Sequence, residues 1–153
     1  MKTIVIHAAS DLRIEERPAP EPGPGEVEIK IAVGGICGSD LHYYHHGGFG
    51  TVRLKEPMIL GHEVSGHITR LGAGVSGLKV GQLVAVSPSR PCRACRYCED
   101  GMLNQCLNMR FYGSAMPFPH IQGAFRQILV ADQRQCAPAD GLTARVMQRL
   151  ANT

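Results

Sequence analysis

The segment "EVEIKIAV", residues 26–33, alternates apolar and charged residues from Glu26 to Ile31, and this pattern is the strongest indication of the fold class. One face of an extended chain carries only aliphatic side chains, those of Val27, Ile29, Ile31 and Val33. The opposite face carries the charged side chains of Glu26, Glu28 and Lys30, followed by Ala32. A period of two is typical of a half-buried β-strand. We therefore predict a strand here, with its aliphatic face in a core.

Other segments have a similar strand-forming composition: 3–7, 63–71, 82–87, 124–131 and 135–139. The chain of 153 residues also contains 18 Gly and 10 Pro, which favours many turns over a helix bundle. We therefore predict a mainly β domain over residues 1–141, built as a small, partly open antiparallel barrel.

Three segments interrupt the strand pattern. Residues 34–50 are loop-like, with a short helical turn expected near Asp40–Tyr44, and residues 88–123 form a long irregular insertion. The tail, 142–153, carries apolar residues at helical spacing over 142–151, namely Leu142, Val146 and Leu150. This spacing predicts that the chain ends in a short helix.

The composition excludes several classes of function. A net charge of +3 is too small to favour nucleic acid or a membrane surface as a partner. No apolar run approaches the ~18–20 residues that a membrane span requires, and His7 and Asp11 interrupt the N-terminal stretch too early for a signal peptide. We expect a cytoplasmic protein whose six cysteines are reduced and available to a metal.

A cysteine-rich segment, "CRACRYCEDGMLNQC", has the spacing C-x2-C-x2-C-x7-C, with the thiols at Cys92, Cys95, Cys98 and Cys106. Zinc binds four thiolates in a tetrahedron, and such a set leaves no position for substrate. We therefore predict a structural zinc in a lobe at about 88–110, with disulfides or free buried thiols as the alternatives.

Arginines surround this lobe, at Arg90, Arg93, Arg96 and Arg110. A zinc knuckle that binds nucleic acid is therefore a rival interpretation. The low net charge is against it, and so is the fact that Tyr97 is the only aromatic residue within the cysteine run.

Two further segments contain residues that can bind a metal, "GICGSDLH" at 35–42 and "GHEVSG" at 61–66. Cys37 offers a thiolate, His62 an imidazole and Glu63 a carboxylate. Three mixed protein ligands and a water are typical of an open, catalytic zinc site. Plain alternatives exist for each: a small buried thiol, a hydrogen-bonded loop histidine and a solvated surface charge.

These motifs together resemble the zinc-dependent medium-chain alcohol dehydrogenases. The pattern from Gly61 to Val75, Gly-His-Glu-x2-Gly-x5-Gly-x2-Val, resembles the family's zinc signature, and "GICGSDLH" resembles the segment with its first zinc ligand. The four-cysteine lobe resembles the family's structural-zinc loop. The segment "HYYHHGGFGTVRLKEPMILGHE" resembles the sorbitol and polyol branch, and with "NMRFYGSAMPFPHIQGAF" the chain resembles the L-idonate 5-dehydrogenases. The resemblance covers 1 to about 141 and implies a GroES-like barrel.

The resemblance also implies roles for single residues. In the polyol branch a Cys, a His and the adjacent Glu hold the catalytic zinc, and here these are Cys37, His62 and Glu63. Ser39 matches the serine that passes the proton of the substrate hydroxyl outward. His42 matches a position that continues this relay toward solvent in some members.

Three further positions match the family's pattern. Asp40 matches a carboxylate that orients the zinc-binding histidine, although an aspartate that caps a turn is the alternative. Tyr43 and Phe111 match positions in the substrate pocket, and Phe111 could equally belong to the core.

The chemistry implied by the resemblance is oxidation of a secondary alcohol on a polyol or sugar acid, L-idonate to 5-ketogluconate in the branch named above. The cofactors implied are one structural and one catalytic zinc, and NAD or NADP as hydride acceptor. The partners implied are this small-molecule substrate and, for the full-length enzymes, further copies of the same chain.

The chain also departs from the family. Such enzymes carry a nucleotide-binding Rossmann domain after the catalytic one, whereas this sequence stops at Thr153. It also lacks the Glu-Pro pair that the family places near position 150. Cys136 lies too early in the chain to replace that glutamate, and we interpret it as a buried thiol on a strand. We therefore expect a chain without a Rossmann domain of its own and with little or no turnover by itself.

A glycine pattern, G-x-G-x-x-G at Gly72, Gly74 and Gly77, can mark a dinucleotide-binding turn. Such a turn requires a helix that begins within the pattern and an acidic residue about 20 residues later. The following residues, "LKVGQLVAV", predict turn and strand instead, and no acidic residue occurs between Glu63 and Glu99. We therefore predict tight turns between strands and no cofactor-binding residues here.

Two non-catalytic functions remain as alternatives. A barrel of the co-chaperonin type has the same architecture but needs neither "GHE" nor the cysteine lobe. A zinc-stabilised binding or assembly module needs the lobe alone. The metal content separates these possibilities, because two zinc ions per chain indicate an intact active site, one indicates a structural module and none indicates the co-chaperonin type.

Overall fold

Antiparallel sheets form the framework of the fold in the computed structural model, which describes residues 1–138 and 141–150. The strands within these residues are β1 (Lys2–Ala8), β2 (Asp11–Glu16), β3 (Glu26–Gly35), β4 (Gly48–Phe49), β5 (Val52–Arg53), β6 (Met58–Ile59), β7 (Glu63–Leu71), β8 (Leu83–Val86), β9 (Ser89–Arg90), β10 (Arg110–Phe111), β11 (Ile128–Asp132) and β12 (Cys136–Pro138). The helices are α1 (Gly38–His46), α2 (Arg96–Glu99) and α3 (Ala144–Leu150), with 3-10 turns at Leu103–Gln105 and Gln133–Gln135. Within the described residues, every helix is too short or too polar to cross a membrane.

Two sheets make up most of the barrel. The larger has five strands in the order β11-β3-β7-β8-β12, and the other has three in the order β2-β1-β6. They adjoin where Thr3 of β1 forms a bridge to Arg126, just before β11. The sheets do not merge into one closed ladder, so the predicted mainly β, partly open, GroES-like barrel is confirmed.

The core lies against the aliphatic face of β3, as the alternation predicts. Val27 and Ile29 are fully buried and pack with apolar residues of β7, β8 and β11, among them Val64, Val84 and Leu129. Cys136 of β12 belongs to the same cluster, and burial raises the pKa of its thiol to about 12. The interpretation of Cys136 as a buried strand thiol is therefore confirmed.

The predicted charged face of β3 differs at one position. Glu28 is only 8% exposed, because two residues of β7 cover its carboxylate. The Thr69 hydroxyl donates to it at 2.6 Å, and Nε of Arg70 donates at 2.9 Å. The Arg70 guanidinium holds the pKa of Glu28 below its usual range. A charge on the outer face of a strand is thus buried by local pairing.

The helix predicted near Asp40–Tyr44 is longer in the structure, where α1 occupies nine residues. Tyr43 is 2% exposed and packs in the second core cluster, with Ile6 and Met58. The helix ends at Gly47, whose φ of 66° is left-handed and whose N–H donates to Tyr43 O at 2.9 Å. Burial of the Tyr43 side chain therefore outweighs the low helix propensity of a segment rich in Gly and His.

The strand predicted at 124–131, after the long insertion, begins later than expected, because β11 starts at Ile128. Residues 124 and 125 bond to the backbone at Leu60 and Gly61, with Phe125 N to Leu60 O at 2.8 Å and Ala124 N to Gly61 O at 2.7 Å. The ladder of β11 with β3 then runs from Ile128 to Asp132. Ala139, the last residue of the predicted strand 135–139, lies outside the described residues.

The C-terminal helix forms, but with a different buried face. Met147 is 1% exposed and packs on Ala85, whereas Leu142 and Val146 are 40% and 42% exposed. The helix therefore buries Met147 rather than the residues whose spacing predicted it. The side chain of Leu150 and all of Ala151 lie outside the described residues.

The glycine pattern forms turns, as predicted, because Gly74 and Gly77 have φ of 77° and 74°. Gly72 has a different constraint, since a Cβ atom there would overlap the carbonyl oxygen of Gly23. β7 is followed by these turns and by β8, so the helix of a dinucleotide-binding motif is missing from this part of the chain.

Candidate metal centres

The sulfur atoms of the lobe converge on one point. The Sγ atoms of its four cysteines all lie within 4.8 Å of one another: Cys92, Cys95, Cys98 and Cys106. The Cys95 and Cys98 sulfurs are 3.6 Å apart, on either side of the first turn of α2. This convergence is what a tetrahedral thiolate site requires before the metal draws its ligands inward. The donor set therefore fits a zinc ion.

Backbone N–H groups point at these sulfurs, which favours thiolates. Leu107 N donates to Cys95 Sγ at 3.5 Å, and Cys92 N donates to Cys106 Sγ at 3.1 Å. The N–H of Ala94 is the main cause of a Cys92 pKa of about 6. Loss of water around Cys98 raises its pKa to about 11, so a cation is needed to hold all four sulfurs deprotonated together.

The lobe has few buried apolar side chains of its own. Met102 is 43% exposed and Leu107 is 60% exposed. Among the described residues of the lobe, the buried ones are Pro88 and Cys106. A metal is therefore the main element that can hold this loop in one conformation.

A second set of donors lies at the rim of the five-stranded sheet. Cys37 follows the end of β3, and His62 and Glu63 lie at the start of β7. The register of β3 with β7 sets Gly35 opposite Glu63, which brings the two segments together. Sγ of Cys37, a ring nitrogen of His62 and a carboxylate oxygen of Glu63 lie within 4.8 Å of one another. These three donors fit zinc with an open position.

Asp40 connects the two segments that carry these donors. Its Oδ2 accepts from Cys37 N at 2.9 Å, and its Oδ1 accepts from Gly61 N at 3.1 Å. Nδ1 of His62 is 4.0 Å from Oδ1, which is beyond hydrogen-bond distance. Asp40 is 4% exposed, and its burial raises the pKa of the carboxyl. Its direct contacts therefore hold the backbone beside the ligands.

A cleft of about 230 Å³ opens beside His62, and its lining includes Ser39, Tyr43, Phe49, Phe111 and Ser114. The ring centroid of Phe111 is 5.2 Å from that of His62. The Tyr43 hydroxyl accepts from Ala115 N at 2.9 Å, so this side chain forms a fixed wall. Phe49 and Ser114 were not singled out from the sequence, because nothing in the local pattern distinguishes them from other loop residues.

Ser39 and His42 lie on α1, three residues apart and therefore on the same side of the helix. Ser39 lines the cleft, whereas His42 is exposed. The arrangement runs from the cleft toward solvent, which is the direction that a proton relay needs.

The sequence pattern does not predict one contact at the site, which joins Gln148 to Glu63. Nε2 of Gln148, on α3, donates to Oε2 of Glu63 at 3.1 Å. The same helix is fixed at its start, where Oγ of Ser65 donates to Ala144 O at 2.6 Å. Gly35 leaves room for this contact, since a Cβ atom there would overlap Nε2 of Gln148. Residues 85 apart meet here, so no local signal could have found the pair.

The barrel, the four-thiolate lobe and the rim site define a domain of the zinc-dependent alcohol dehydrogenase type. Residues 23–141 match the alcohol dehydrogenase GroES-like domain, and the chain belongs to this family.

Two curated relatives are similar to this chain over most of its length. L-Idonate 5-dehydrogenase (NAD(P)(+)) of Escherichia coli (strain K12) is 50% identical over 109 residues, 71% of this chain and 31% of that protein. Sorbitol dehydrogenase of Bacillus subtilis (strain 168) is 41% identical over 129 residues, 84% of this chain and 35% of that protein. The chain therefore spans about a third of the length of these curated relatives.

Solved structures are similar over nearly the whole chain. The crystal structure of L-idonate 5-dehydrogenase from Escherichia coli K-12 matches with a TM-score of 0.89 and 40% identity, covering 96% of this chain and 42% of that one. Alcohol dehydrogenase TADH from Thermus sp. ATN1 matches with a TM-score of 0.82 and 28% identity, covering 96% and 43%.

Proposed function

We propose that this chain supplies the metal-binding catalytic part of a zinc-dependent, NAD(P)-linked oxidoreductase. The substrate class is a polyol or sugar acid with a secondary alcohol, and the reaction is oxidation of L-idonate to 5-ketogluconate. The observation that carries the proposal is the convergence of Cys37, His62 and Glu63, of which His62 lines a cleft. The two relatives named L-idonate 5-dehydrogenase and sorbitol dehydrogenase support the substrate class.

The rim donors and the lobe donors serve different purposes. The four thiolates of the lobe would leave no position for substrate, whereas the three donors Cys37, His62 and Glu63 would leave one. When bound at the rim, zinc supplies Lewis-acid polarisation of an alcohol oxygen, and NAD(P) serves as hydride acceptor. Asp40 holds the ligand segments together through Cys37 N and Gly61 N.

Proton transfer is assigned to residues of α1. Ser39 lines the cleft and accepts the proton that leaves the substrate hydroxyl, and His42 at the exposed surface of the helix returns it to solvent. Tyr43 and Phe111 form part of the wall of the cleft. A hydroxyl and an imidazole can each accept one proton and donate another, which is what a relay requires.

Cobalt substitution tests the proposed function on the chain itself. We expect two cobalt ions per chain, and we expect L-idonate or sorbitol to perturb the visible spectrum of the rim ion while leaving the thiolate bands of the lobe unchanged. Cys37→Ser is the control, because it should bind one cobalt and show no perturbation. Two bound ions without any response to polyols or sugar acids would contradict the proposed substrate class. One ion per chain in the unaltered protein would favour a zinc-stabilised binding module.

Gln148 should contribute to metal affinity at the rim, because it restrains the Glu63 carboxylate from α3. Removal of a group that orients a metal ligand typically lowers affinity by about 10- to 100-fold. We expect Gln148→Ala to weaken the rim metal by about tenfold, as measured by chelator competition, with the lobe metal unchanged. Arg145→Ala, at an exposed position of the same helix, should leave both affinities unchanged. Equal weakening by both variants would show that only the helix as a whole matters.

A further inference from the structure

We propose that a cleft beside the cysteine lobe, separate from the rim site, binds a small doubly charged oxyanion of the phosphate and sulfate class. The cleft has a volume of about 230 Å³ and lies between one side of the lobe, which includes the β9–β10 ladder, and the segment from Asp132 to Gln135. Its charged lining consists of four arginines and one aspartate: Arg90, Arg93, Arg110, Arg134 and Asp132. The volume is smaller than the ~300–1,000 Å³ of drug-sized ligand pockets, which suits a small ion.

The single acidic residue of the lining is already neutralised. The Asp132 carboxylate accepts from Nε and Nη2 of Arg134 at 2.8 and 2.7 Å. This pairing is the main cause of an Asp132 pKa of about 2. The charge of Arg90 is also paired, because its Nη2 lies 3.1 Å from Glu26 Oε1 and 4.0 Å from Asp132 Oδ2.

Two arginines of the cleft have no such partner. Within residues 1–138 and 141–150, neither Arg93 nor Arg110 forms an ion pair with a carboxylate. Both are exposed, and both line the cleft. Arginine presents several N–H donors in a planar fork that matches the oxygens of phosphate. Their charges are therefore available to an anion.

The backbone places these charges close together at a cost. Arg110 lies directly opposite Arg90 in the β9–β10 ladder, and like charges opposite each other destabilise a strand pair. Arg93 has a φ of 59°, a left-handed conformation that is uncommon outside glycine. An anion between these side chains would offset the repulsion, because it brings opposite charge to both strands.

General attraction to the metal-bound thiolates is the competing explanation for the arginines. Cys92 lines the cleft, and a tetrathiolate zinc site carries net negative charge. Arg96 lies in the same lobe but stacks on Tyr97, with its guanidinium 4.8 Å from the ring centroid, and it does not line the cleft. Arg96 therefore provides a matched control with the same change in charge.

Phosphate binding to the metal-loaded chain tests the proposal. Inorganic phosphate is titrated at constant ionic strength, balanced with sodium chloride, and binding is followed by calorimetry and by the thermal midpoint. We expect saturable stabilisation. Arg110→Ala should weaken the phosphate affinity about tenfold, in line with the loss of one charge-assisted hydrogen bond, and Arg96→Ala should leave it unchanged.

The lobe metal content and the circular dichroism of each variant serve as the folding check. If Arg110→Ala fails that check, Arg93→Ala provides the same test from the other side of the cleft. Equal affinity in the Arg110 and Arg96 variants would overturn the proposal. The same stabilisation by sodium chloride alone would also overturn it, since only general screening would then be at work.

Discussion

Cys95→Ser is expected to release the metal of the lobe and to lower the unfolding free energy by several kcal/mol. The reason is that the lobe has little apolar core, with Met102 and Leu107 exposed. A structural zinc site contributes roughly 10–16 kcal/mol of binding free energy in small zinc domains. Metal content by mass spectrometry and a urea unfolding curve measure the two effects.

Cys37→Ser is the matched variant for this test, because it removes one thiolate from the rim site and none from the lobe. We expect it to lose only the rim metal and to keep a cooperative unfolding transition close to that of the unaltered chain. The barrel core near β3 does not depend on the Cys37 sulfur. Unfolding by Cys37→Ser as severe as that by Cys95→Ser would refute the division into a structural and a catalytic centre.

Asp40→Ala is expected to have the second largest effect. Removal of the carboxylate leaves the N–H groups of Cys37 and Gly61 without their acceptor. Each buried polar group left unsatisfied costs about 1–3 kcal/mol, so for two groups we expect a loss of about 2–6 kcal/mol in the unfolding free energy. We also expect the rim metal to bind at least about tenfold more weakly.

Two variants make the Asp40 result specific. Asp40→Asn keeps the shape but replaces one acceptor oxygen with a donor, so we expect an intermediate loss of stability. Asp11→Asn removes a charge whose side chain is 37% exposed and paired with Arg13, so a change within about 0.5 kcal/mol is expected. A urea titration of all three variants measures these differences, and an Asp40→Ala value equal to that of Asp11→Asn would contradict the bridging role.

Periodicity and spacing predicted the parts of the fold that depend on local pattern. The alternation at 26–33 and the segment at 63–71 correspond to β3 and β7, whose pairing builds the rim. The lobe cysteines converge as their spacing predicted. Three motifs in the same order as in the family predicted that the chain belongs to it, and the match over residues 23–141 confirms this prediction.

The remaining features depend on contacts between distant residues. Helix α1 extends to His46 because Tyr43 finds a buried pocket, which no propensity of "HYYHH" indicates. α3 turns Met147 inward because Ala85 lies beneath it, although the spacing of Leu142 and Val146 favoured another face. The Gln148 contact with Glu63 depends on that rotation, so it could not be inferred before the helix was placed.

The two metal centres differ in how far apart their ligands lie along the chain. Cys92 to Cys106 spans 14 positions within one loop, so these thiols can meet before any sheet exists. The rim ligands, Cys37 and Glu63, meet only once β3 has paired with β7, which requires closure of a longer loop. When the whole chain refolds, the lobe is therefore expected to be the first centre able to take up metal. The rim centre fills only in a chain that has already assembled its sheet, which makes its occupancy a report of completed folding.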